Sequence, residues 1–441
     1  MKRRPGARPA SRPLSAKNAD WAFHADDDEV LDALARGRQT ESLREYFGAP
    51  AYAELSVLAA AAKKAKKPRG PPVLILPGIM GSKLGGPMRG AGGKRRSRLP
   101  EVLWIDPLQI AAGRLTALAL PSDKPLKSMG VLLFSYAKLR LQLQIAGCNA
   151  SFYSYDWRQG LDQLGAKLAA GIVADGRPVI LVAHSMGGLV ARVAARILPR
   201  RYLRKLIMLG TPNRGSFAPV QALRGTYPFV RKLSTLDRKH SAEYLAQNVF
   251  CTFPGLYHML PPPQGITGID LFDARCWPAD GPTPSAQLLG QVTAARAGLA
   301  PADSRMVHIV GVNQETVFSL RRTAAGFEYA MDRNGDGTVP LSFARLPKLK
   351  CYFVDESHAD LPNNARVIQA IIDLVRRGRT EGLSQRWRAK PGVVGRIDDA
   401  QLRMEGSGKI DWRRLTPAQR EAVFAELDSG RLLPAALHPI V

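Results

Sequence analysis

One stretch of the chain, residues 179–192, restricts the possible folds more than any other. Four apolar residues, Val179–Val182, lead into a serine among small residues, and a helical pattern begins directly after it. A strand that turns sharply into a helix holds the residue at the turn in a strained conformation, so the neighbouring side chains must be small. Ala183 and Gly187, two residues on either side of Ser185, meet that requirement. The pattern is typical of a nucleophile elbow with Ser185 at its tip.

Short apolar runs recur along the chain and alternate with helical patterns. The runs predicted as buried strands are Val73–Leu76, Ser151–Tyr155, Val179–Val182, Leu206–Leu209, Met306–Val310 and Cys351–Val354. The helices predicted between and after them are Val131–Ala146, Leu161–Val173 and Asn364–Arg376, and a hairpin is predicted over 316–331. Strands that alternate with helices indicate a largely parallel sheet, so we predict an α/β fold with helices on both faces of the sheet.

Composition divides the chain into a main domain and two flanking segments. Residues 1–70 are predicted to be a basic disordered arm followed by short helices, because a Gly-Pro-Pro sequence interrupts the helical pattern at 70–72. The main domain is predicted over 71–378, and 379–441 is predicted to be a basic C-terminal extension with a short helix from Thr416 to Leu427. Periodicity is lost between 213 and 301. A long, irregular, apolar insertion indicates a cap over a site, and the alternative is a structural decoration without a role at the site.

The chain carries a large positive charge. Its 63 Lys and Arg residues against 37 Asp and Glu residues give a net charge of +26. Such a charge attracts polyanions, either nucleic acid or an anionic lipid surface. The basic residues cluster at 2–12, 63–69 and 94–98, and the simplest interpretation is solvated linker charge. No zinc knuckle or RNP motif is visible, which disfavours nucleic acid and favours peripheral contact with an anionic membrane.

Four cysteines do not require a disulfide framework in a chain of 441 residues. Cys251 and Cys276 lie in one segment where a disulfide could join them, but the favoured interpretation is that the thiols are reduced. No apolar region follows the basic start, and no apolar run has the length of a membrane span. These features predict a cytoplasmic protein that contacts a membrane, if at all, at its surface. Nothing in the sequence determines the oligomeric state.

A serine nucleophile needs a base and a group that orients the base. In a fold built around a nucleophile elbow, an acid and then a histidine follow the serine on loops after late strands. His358 directly follows the last predicted strand, and the chain has only 7 histidines. Asp336 lies after the hairpin between glycines that permit a close approach to a partner. We therefore predict Ser185, Asp336 and His358 as a catalytic triad.

Other interpretations of the same region stay open. The carboxylates that are alternatives to Asp336 are Asp332, Asp355 and Glu356. The stretch 332–337 matches the start of a calcium-loop pattern, but Phe343 stands where that pattern needs a bidentate glutamate, so no metal is predicted. His184 adjoins the serine in sequence, and we predict a packing role for it.

The oxyanion that forms during acyl transfer requires two N–H donors. The first is predicted to be Met186, the residue after the nucleophile. The second is predicted in the glycine-containing turn after the first strand, where Ile79 is the natural donor and Met80 the alternative. Backbone groups would supply both hydrogen bonds, so the apolar side chains are no obstacle.

These motifs resemble the lecithin:cholesterol acyltransferase family of α/β-hydrolases. The matching stretches follow the family order over residues 72–376: Leu74–Ser82, Trp104–Asp106, Tyr155–Arg158, Ala183–Gly187, Gly335–Pro340 and Ser357–Leu361. The resemblance implies an α/β-hydrolase fold with a cap that gates acyl access. It also implies an acyl-enzyme mechanism with Ser185 as nucleophile, Asp336 as orienting acid and His358 as base, and with Ile79 and Met186 as oxyanion donors. Family members often have glycine where Ala183 stands.

The predicted function is hydrolysis or O-acyl transfer of a phospholipid or other acyl ester, with no cofactor. Water and an alcohol attack the same acyl-enzyme, so the sequence does not decide between the two acceptors. The alternative is a non-catalytic binding protein of the same fold that docks on an anionic membrane or on nucleic acid. The presence of all three triad residue types in the required order favours the enzyme.

Overall fold

A computed structural model describes residues 21–66, 68, 70–86, 101–122, 125–263, 269–388, 392–404, 408–415 and 419 of the chain. The strands are β1 (Pro72–Leu76), β2 (Ser82–Gly86), β3 (Glu101–Trp104), β4 (Lys127–Val131), β5 (Asn149–Phe152), β6 (Val179–His184), β7 (Leu203–Leu209), β8 (Met306–Val312), β9 (Thr316–Thr323), β10 (Gly326–Asp332), β11 (Lys350–Asp355) and β12 (Gly395–Asp398).

The helices in the described part of the chain fall into three groups by position. Those before and between the first strands are α1 (Trp21–His24), α2 (Asp27–Arg36), α3 (Thr40–Phe47), α4 (Ala49–Lys64), α5 (Pro107–Ala111), α6 (Leu133–Ile145), α7 (Leu161–Asp175) and α8 (Met186–Ile197). Those between β7 and β8 are α9 (Ala218–Arg224), α10 (Pro228–Leu236), α11 (Ala242–Asn248), α12 (Pro254–Tyr257) and α13 (Ala286–Ala297). The last are α14 (Leu341–Ala344), α15 (Ala365–Arg377) and α16 (Asp399–Met404).

A six-stranded sheet lies at the centre of the fold. Its strand order is β11-β8-β7-β6-β1-β5, and every neighbouring pair is parallel. All residues of β6 and β8 are buried, which explains their almost continuous apolar sequences. Helix α6 packs on α15 and α7 packs on α8, so helices flank the sheet. The predicted α/β fold with a mostly parallel sheet is confirmed.

The carboxyl ends of the parallel strands meet at one edge of the sheet, where ligands of such folds bind. Ile79 follows β1, Ser185 follows β6, and His358 follows β11. Asp336 follows the β9–β10 hairpin, which the chain forms after β8. The strand order therefore brings residues that are far apart in sequence to the same edge.

Two small sheets accompany the central one, with strand orders β3-β2-β4 and β12-β10-β9. The predicted hairpin is present as β9 and β10, and both strands are longer than predicted. Strand β12 pairs antiparallel with β10 and places Ile397 opposite Tyr329. No strand is predicted after Gly378, so the pairing of this segment with β10 is a structural finding that the prediction missed.

The helices before β1 pack onto the sheet-containing part of the chain. Helix α4 packs on both α2 and α6. Lys83 of β2 is buried, lies 3.1 Å from Asp27 of α2 and donates a hydrogen bond to the carbonyl of Ala25. Burial raises the pKa of Asp27, and the neighbouring Lys83 opposes that shift. The short helices predicted before residue 70 are thus present, and the domain boundary there stays a prediction.

The expectation that residues 213–301 are irregular is wrong, because helices α9 to α13 lie in this segment. Pro219, Pro228 and Pro254 stand at the first or second position of α9, α10 and α12. Proline suits the start of a helix, since its φ is already helical and the first turn does not use its missing N–H. The prolines that interrupt the sequence periodicity are therefore helix starts.

Several sequence expectations lie wholly or partly outside the described residues. These are the basic clusters at 2–12 and 94–98, part of the cluster at 63–69, and the helix predicted over 416–427 apart from residue 419.

All four cysteines are free thiols, so Cys251 and Cys276 do not pair. Within the part of the chain that the structure describes, no helix has the length and apolarity needed to cross a membrane.

Candidate active site

Ser185 lies in the turn between β6 and α8 with a backbone conformation that L-residues rarely adopt. Its φ is 52° and its ψ is −125°. The strain is held in place because the Ser185 N–H donates a 2.8 Å hydrogen bond to the carbonyl of Leu209 on β7. A Cβ atom on Gly187 would lie 2.5 Å from the carbonyl oxygen of Pro77, so this position requires glycine. The local structure is the sharp strand–helix turn that the sequence predicts.

Ser185, His358 and Asp336 form a continuous chain of hydrogen bonds. Nε2 of His358 lies 2.9 Å from Oγ of Ser185, and Nδ1 of His358 lies 2.8 Å from Oδ2 of Asp336. The Asp336 side chain is completely buried, whereas the imidazole retains a small exposed fraction. With a proton on Nδ1, the imidazole donates to the carboxylate and presents Nε2 to the serine hydroxyl as an acceptor.

The backbone around Asp336 fixes the position of its carboxylate. Oδ1 accepts hydrogen bonds from the N–H groups of Thr338, at 3.0 Å, and Val339, at 2.7 Å. The N–H of His358 in turn donates to the backbone carbonyl of Asp336 at 2.7 Å. These bonds leave Oδ2 to face the imidazole. The loop that carries Asp336 is therefore connected to the loop that carries His358 by one side-chain and one backbone hydrogen bond.

The three alternative carboxylates bind other partners. Asp332 accepts from Asn334, Asp355 accepts from Asn313 and Gln314, and Glu356 accepts from the Ser357 N–H and from Asn364. Asp336 is therefore the carboxylate that faces His358 in the described structure. Among the described residues, no group of three or more His, Cys, Asp or Glu side chains is suited to a metal, and the absence of a metal at 332–337 stays a prediction.

His184, for which the sequence predicts a packing role, links the loops on both sides of Ser185. Its Nε2 lies 2.9 Å from the carbonyl oxygen of His358, and its Nδ1 lies 2.9 Å from the hydroxyl of Tyr136. The same hydroxyl accepts a 2.9 Å hydrogen bond from the N–H of Gly78. No sequence signal connects Tyr136 to these residues, because it lies on α6, 48 residues before His184.

The candidate oxyanion donors lie on two elements next to the serine. Met186 is the first residue of α8, so its N–H has no acceptor within the helix. Ile79 follows Gly78, and a Cβ atom on Gly78 would lie 3.0 Å from Cβ of Ser185, so this loop approaches the serine closely.

Met80, the alternative donor, has a positive φ of 63°, and its carbonyl accepts a hydrogen bond from the indole N–H of Trp104. Ile79 and Met80 line the cavity described next, and the buried Met186 side chain does not. The donor roles stay a prediction.

A cavity of about 710 Å³ opens onto Ser185 and His358. Much of its lining is apolar and comes from separate parts of the chain, including Trp104 of β3, Phe229 of α10 and Leu256 of α12. A volume of this order is typical of small-molecule sites and is large enough for an extended acyl chain. The serine hydroxyl thus faces an apolar space next to a base.

Comparison with known protein families gives a match that covers the elbow and Asp336. The profile of the Alpha/beta hydrolase family matches residues 129–348. This part of the chain is an α/β-hydrolase domain. A comparison of the chain with curated proteins found no match.

Solved structures similar to this chain include a lipase and a phospholipase, all at low similarity. The Bacillus licheniformis lipase BlEst2 in its propeptide form is 15% identical with a TM-score of 0.34, over 70% of this chain and 52% of that one, so the match spans about half of the lipase. The Tle4–Tli4 complex is 13% identical with a TM-score of 0.40, over 70% and 98% of the two chains. Phospholipase PlaB from Legionella pneumophila is 10% identical with a TM-score of 0.32, over 71% and 61%.

Proposed function

We propose that the protein is a serine-dependent hydrolase or acyltransferase that acts on carboxylic esters through an acyl-enzyme. The observation that carries the proposal is the hydrogen-bonded chain from Ser185 through His358 to the buried Asp336, at a cavity large enough for a substrate. The membership of the central part of the chain in the α/β-hydrolase family supports it. A non-catalytic binding protein would not need a strained serine aligned with a base.

The mechanism begins when Ser185 Oγ attacks the ester carbonyl carbon and its proton moves to Nε2 of His358. Asp336 stabilises the imidazolium that forms by accepting the hydrogen bond from Nδ1. The carbonyl oxygen becomes an oxyanion, which the N–H groups of Ile79 and Met186 are proposed to bind. The bond to the alcohol oxygen then breaks, and that oxygen takes the proton from Nε2, which leaves an acyl-serine.

The second half of the reaction uses the same groups in the opposite direction. His358 removes a proton from water or from an acceptor alcohol, and the oxygen attacks the acyl-serine. Collapse of the second tetrahedral intermediate returns the proton from Nε2 to Ser185 and releases a fatty acid or a new ester. The apolar lining of the cavity supports a lipid acyl ester as substrate. The net charge of +26 supports peripheral contact with an anionic membrane.

The test is labelling with a fluorophosphonate, which reacts covalently with an activated serine. The wild-type protein is expected to be labelled at Ser185, and Ser185→Ala is expected to lose the label. Ser304→Ala is the matched control, because Ser304 is an exposed serine before β8 at the opposite end of the sheet. Absence of the label from folded wild-type protein would reject the catalytic proposal and favour the binding protein.

A second experiment separates the two acyl acceptors. Unlabelled wild-type protein is incubated with a phospholipid and a long-chain alcohol, and the products are separated by chromatography. Free fatty acid identifies water as the acceptor, and a fatty ester identifies the alcohol. Both products are expected to disappear in Ser185→Ala.

A further inference from the structure

The segment after α15 contributes side chains to the cavity that holds Ser185. Ile397 of β12 and Leu402 of α16 both line this cavity. The family match ends at residue 348, so these two side chains come from a part of the chain beyond it. One wall of the cavity is therefore built by residues 395–404.

A buried carboxylate holds this wall in place. Asp399, at the start of α16, is completely buried and accepts hydrogen bonds from Arg224 Nε at 3.0 Å, the Tyr329 hydroxyl at 2.8 Å and the Phe327 N–H at 3.1 Å. Arg224, also completely buried, forms a second ion pair with Asp280. Asp399 thus joins α16 to the cap helix α9 and to strand β10.

The elements that Asp399 joins, α9 and β10, also contribute side chains to the lining of the cavity. Helix α9 contributes Ala218 and Ala222 to the lining, and β10 contributes Met331. Leu402 lies three residues after Asp399, so the two side chains lie on the same side of α16. Leu402 is 5% exposed, whereas Met404 of the same helix is 80% exposed. The ion pair therefore fixes which side chain of α16 enters the cavity.

We propose that Ile397 and Leu402 set the length of the acyl chain that the enzyme accepts. This inference rests on the proposed ester hydrolysis at Ser185. An acyl chain that extends from the acyl-serine into the cavity ends against apolar side chains, and a larger side chain there shortens the space. The ligand class is the fatty acyl group of a carboxylic ester, and the two residues are specificity determinants with no part in the chemistry.

The experiment measures kcat/KM for p-nitrophenyl butyrate, octanoate and palmitate. Leu402→Trp is expected to lower the palmitate-to-butyrate ratio of kcat/KM by about 10-fold or more, since differences of a few methylenes in an apolar pocket have this order of effect. Leu402→Ala is expected to shift the ratio in the opposite direction. Ile397→Trp is expected to act as Leu402→Trp does. Circular dichroism and the melting temperature show whether the tryptophan variants fold. If they do not, the palmitate-to-butyrate ratio of kcat/KM in Leu402→Ala tests the inference.

The matched control is Met404→Trp, which adds the same bulk to α16 on its exposed side and is expected to leave the ratio unchanged. Folded, active Leu402 variants with the wild-type ratio would overturn the inference and leave the proposed function standing. A wild-type protein that hydrolyses none of the esters and takes no fluorophosphonate label would reject the proposed function, and this inference with it.

Discussion

Nε2 of His184 lies 2.9 Å from the carbonyl oxygen of His358, so the histidine before the serine holds the backbone of the histidine that faces the serine. A carbonyl oxygen only accepts, which places the His184 proton on Nε2 and leaves Nδ1 to accept from Tyr136. Burial and the neighbouring His358 lower the pKa of His184 to about 3, so it stays neutral near neutral pH. The network Gly78–Tyr136–His184–His358 thus joins the candidate oxyanion loop to the backbone of His358.

Tyr136→Phe removes the hydroxyl at the centre of this network. The N–H of Gly78 and Nδ1 of His184 lose their partner, and we expect the loops that they hold to lose their alignment. A loss of about 1.4 kcal/mol corresponds to a kcat about 10-fold lower. Because the hydroxyl positions other groups, KM is expected to stay within about twofold while kcat falls. Steady-state kinetics with a p-nitrophenyl ester measure both constants.

Tyr202→Phe is the matched control for this prediction, because Tyr202 lies just before β7 at the far end of the sheet. It is expected to keep the wild-type kcat and KM. An unchanged kcat in Tyr136→Phe, or a rise in KM alone, would contradict the positioning role.

Asp336→Asn keeps the shape of the side chain but removes its charge. The imidazolium of His358 loses its stabilising partner, and the amide favours the wrong tautomer of the imidazole, so kcat is expected to fall by about 10³–10⁴. Asp332→Asn, four residues earlier, alters a carboxylate that bonds Asn334, and it is expected to keep most of the activity. Burst and steady-state kinetics on the same ester compare the two variants. Equal losses in both would contradict the assignment of Asp336.

Stability is expected to fall as the pH decreases from about 7.5 to about 5. Burial lowers the pKa of His258 and of His308 from 6.5 to about 4. As the pH falls, these two histidines take up protons in the unfolded chain before they do so in the folded protein. The stability that is present above pH 6.5 is therefore lost as the pH decreases. Each histidine accounts for a loss on the order of 2 kcal/mol at about pH 5. Urea unfolding at the two pH values measures the difference.

Glutamine variants assign this pH dependence to individual rings. Nδ1 of His258 accepts the N–H of Leu161 at 3.1 Å, and Nε2 of His308 accepts the N–H of Leu346 at 3.3 Å. A glutamine oxygen can accept the same bond but does not take up a proton. His258→Gln and His308→Gln are each expected to reduce the loss of stability between the two pH values. A dependence identical to that of the wild type in both variants would contradict the assignment.

Asp399→Asn is expected to lower the free energy of unfolding by about 3 kcal/mol, because it leaves the buried Arg224 without its buried counter-charge. Denaturant unfolding, followed by tryptophan fluorescence, measures this loss. Asp273→Asn is the control, since Asp273 pairs with Arg275, whose side chain is 90% exposed. That variant is expected to keep the wild-type unfolding midpoint. A wild-type midpoint for Asp399→Asn would show that the ion pair does not hold the segment.

The central sheet and the elbow could be predicted from sequence because their signals are local. A strand buried on both faces needs consecutive apolar residues, and β6 carries four of them before the small residues around Ser185. The order of Ser185, Asp336 and His358 was also visible, and the structure brings the three within hydrogen-bonding distance. Their catalytic roles and the oxyanion donors stay predictions.

Features that depend on distant partners could not be predicted in the same way. Strand β12 has four residues with one aliphatic side chain, and its extended form comes from pairing with β10. His184 and Tyr136 act together only because β6 and α6 meet in space. The helices between β7 and β8 could not be predicted for a different reason, since the prolines that start α9, α10 and α12 interrupt the sequence periodicity.

The ion pair between Arg224 and Asp399 also sets an order of events during protein synthesis. The ribosome makes Asp399 175 residues after Arg224. Until the later residue emerges, α9 cannot bury its guanidinium against this carboxylate, and a buried charge without its partner costs several kcal/mol. Domains generally fold as units during synthesis, the N-terminal ones first. The nascent chain therefore completes its apolar cavity only after residues 395–404 have left the ribosome.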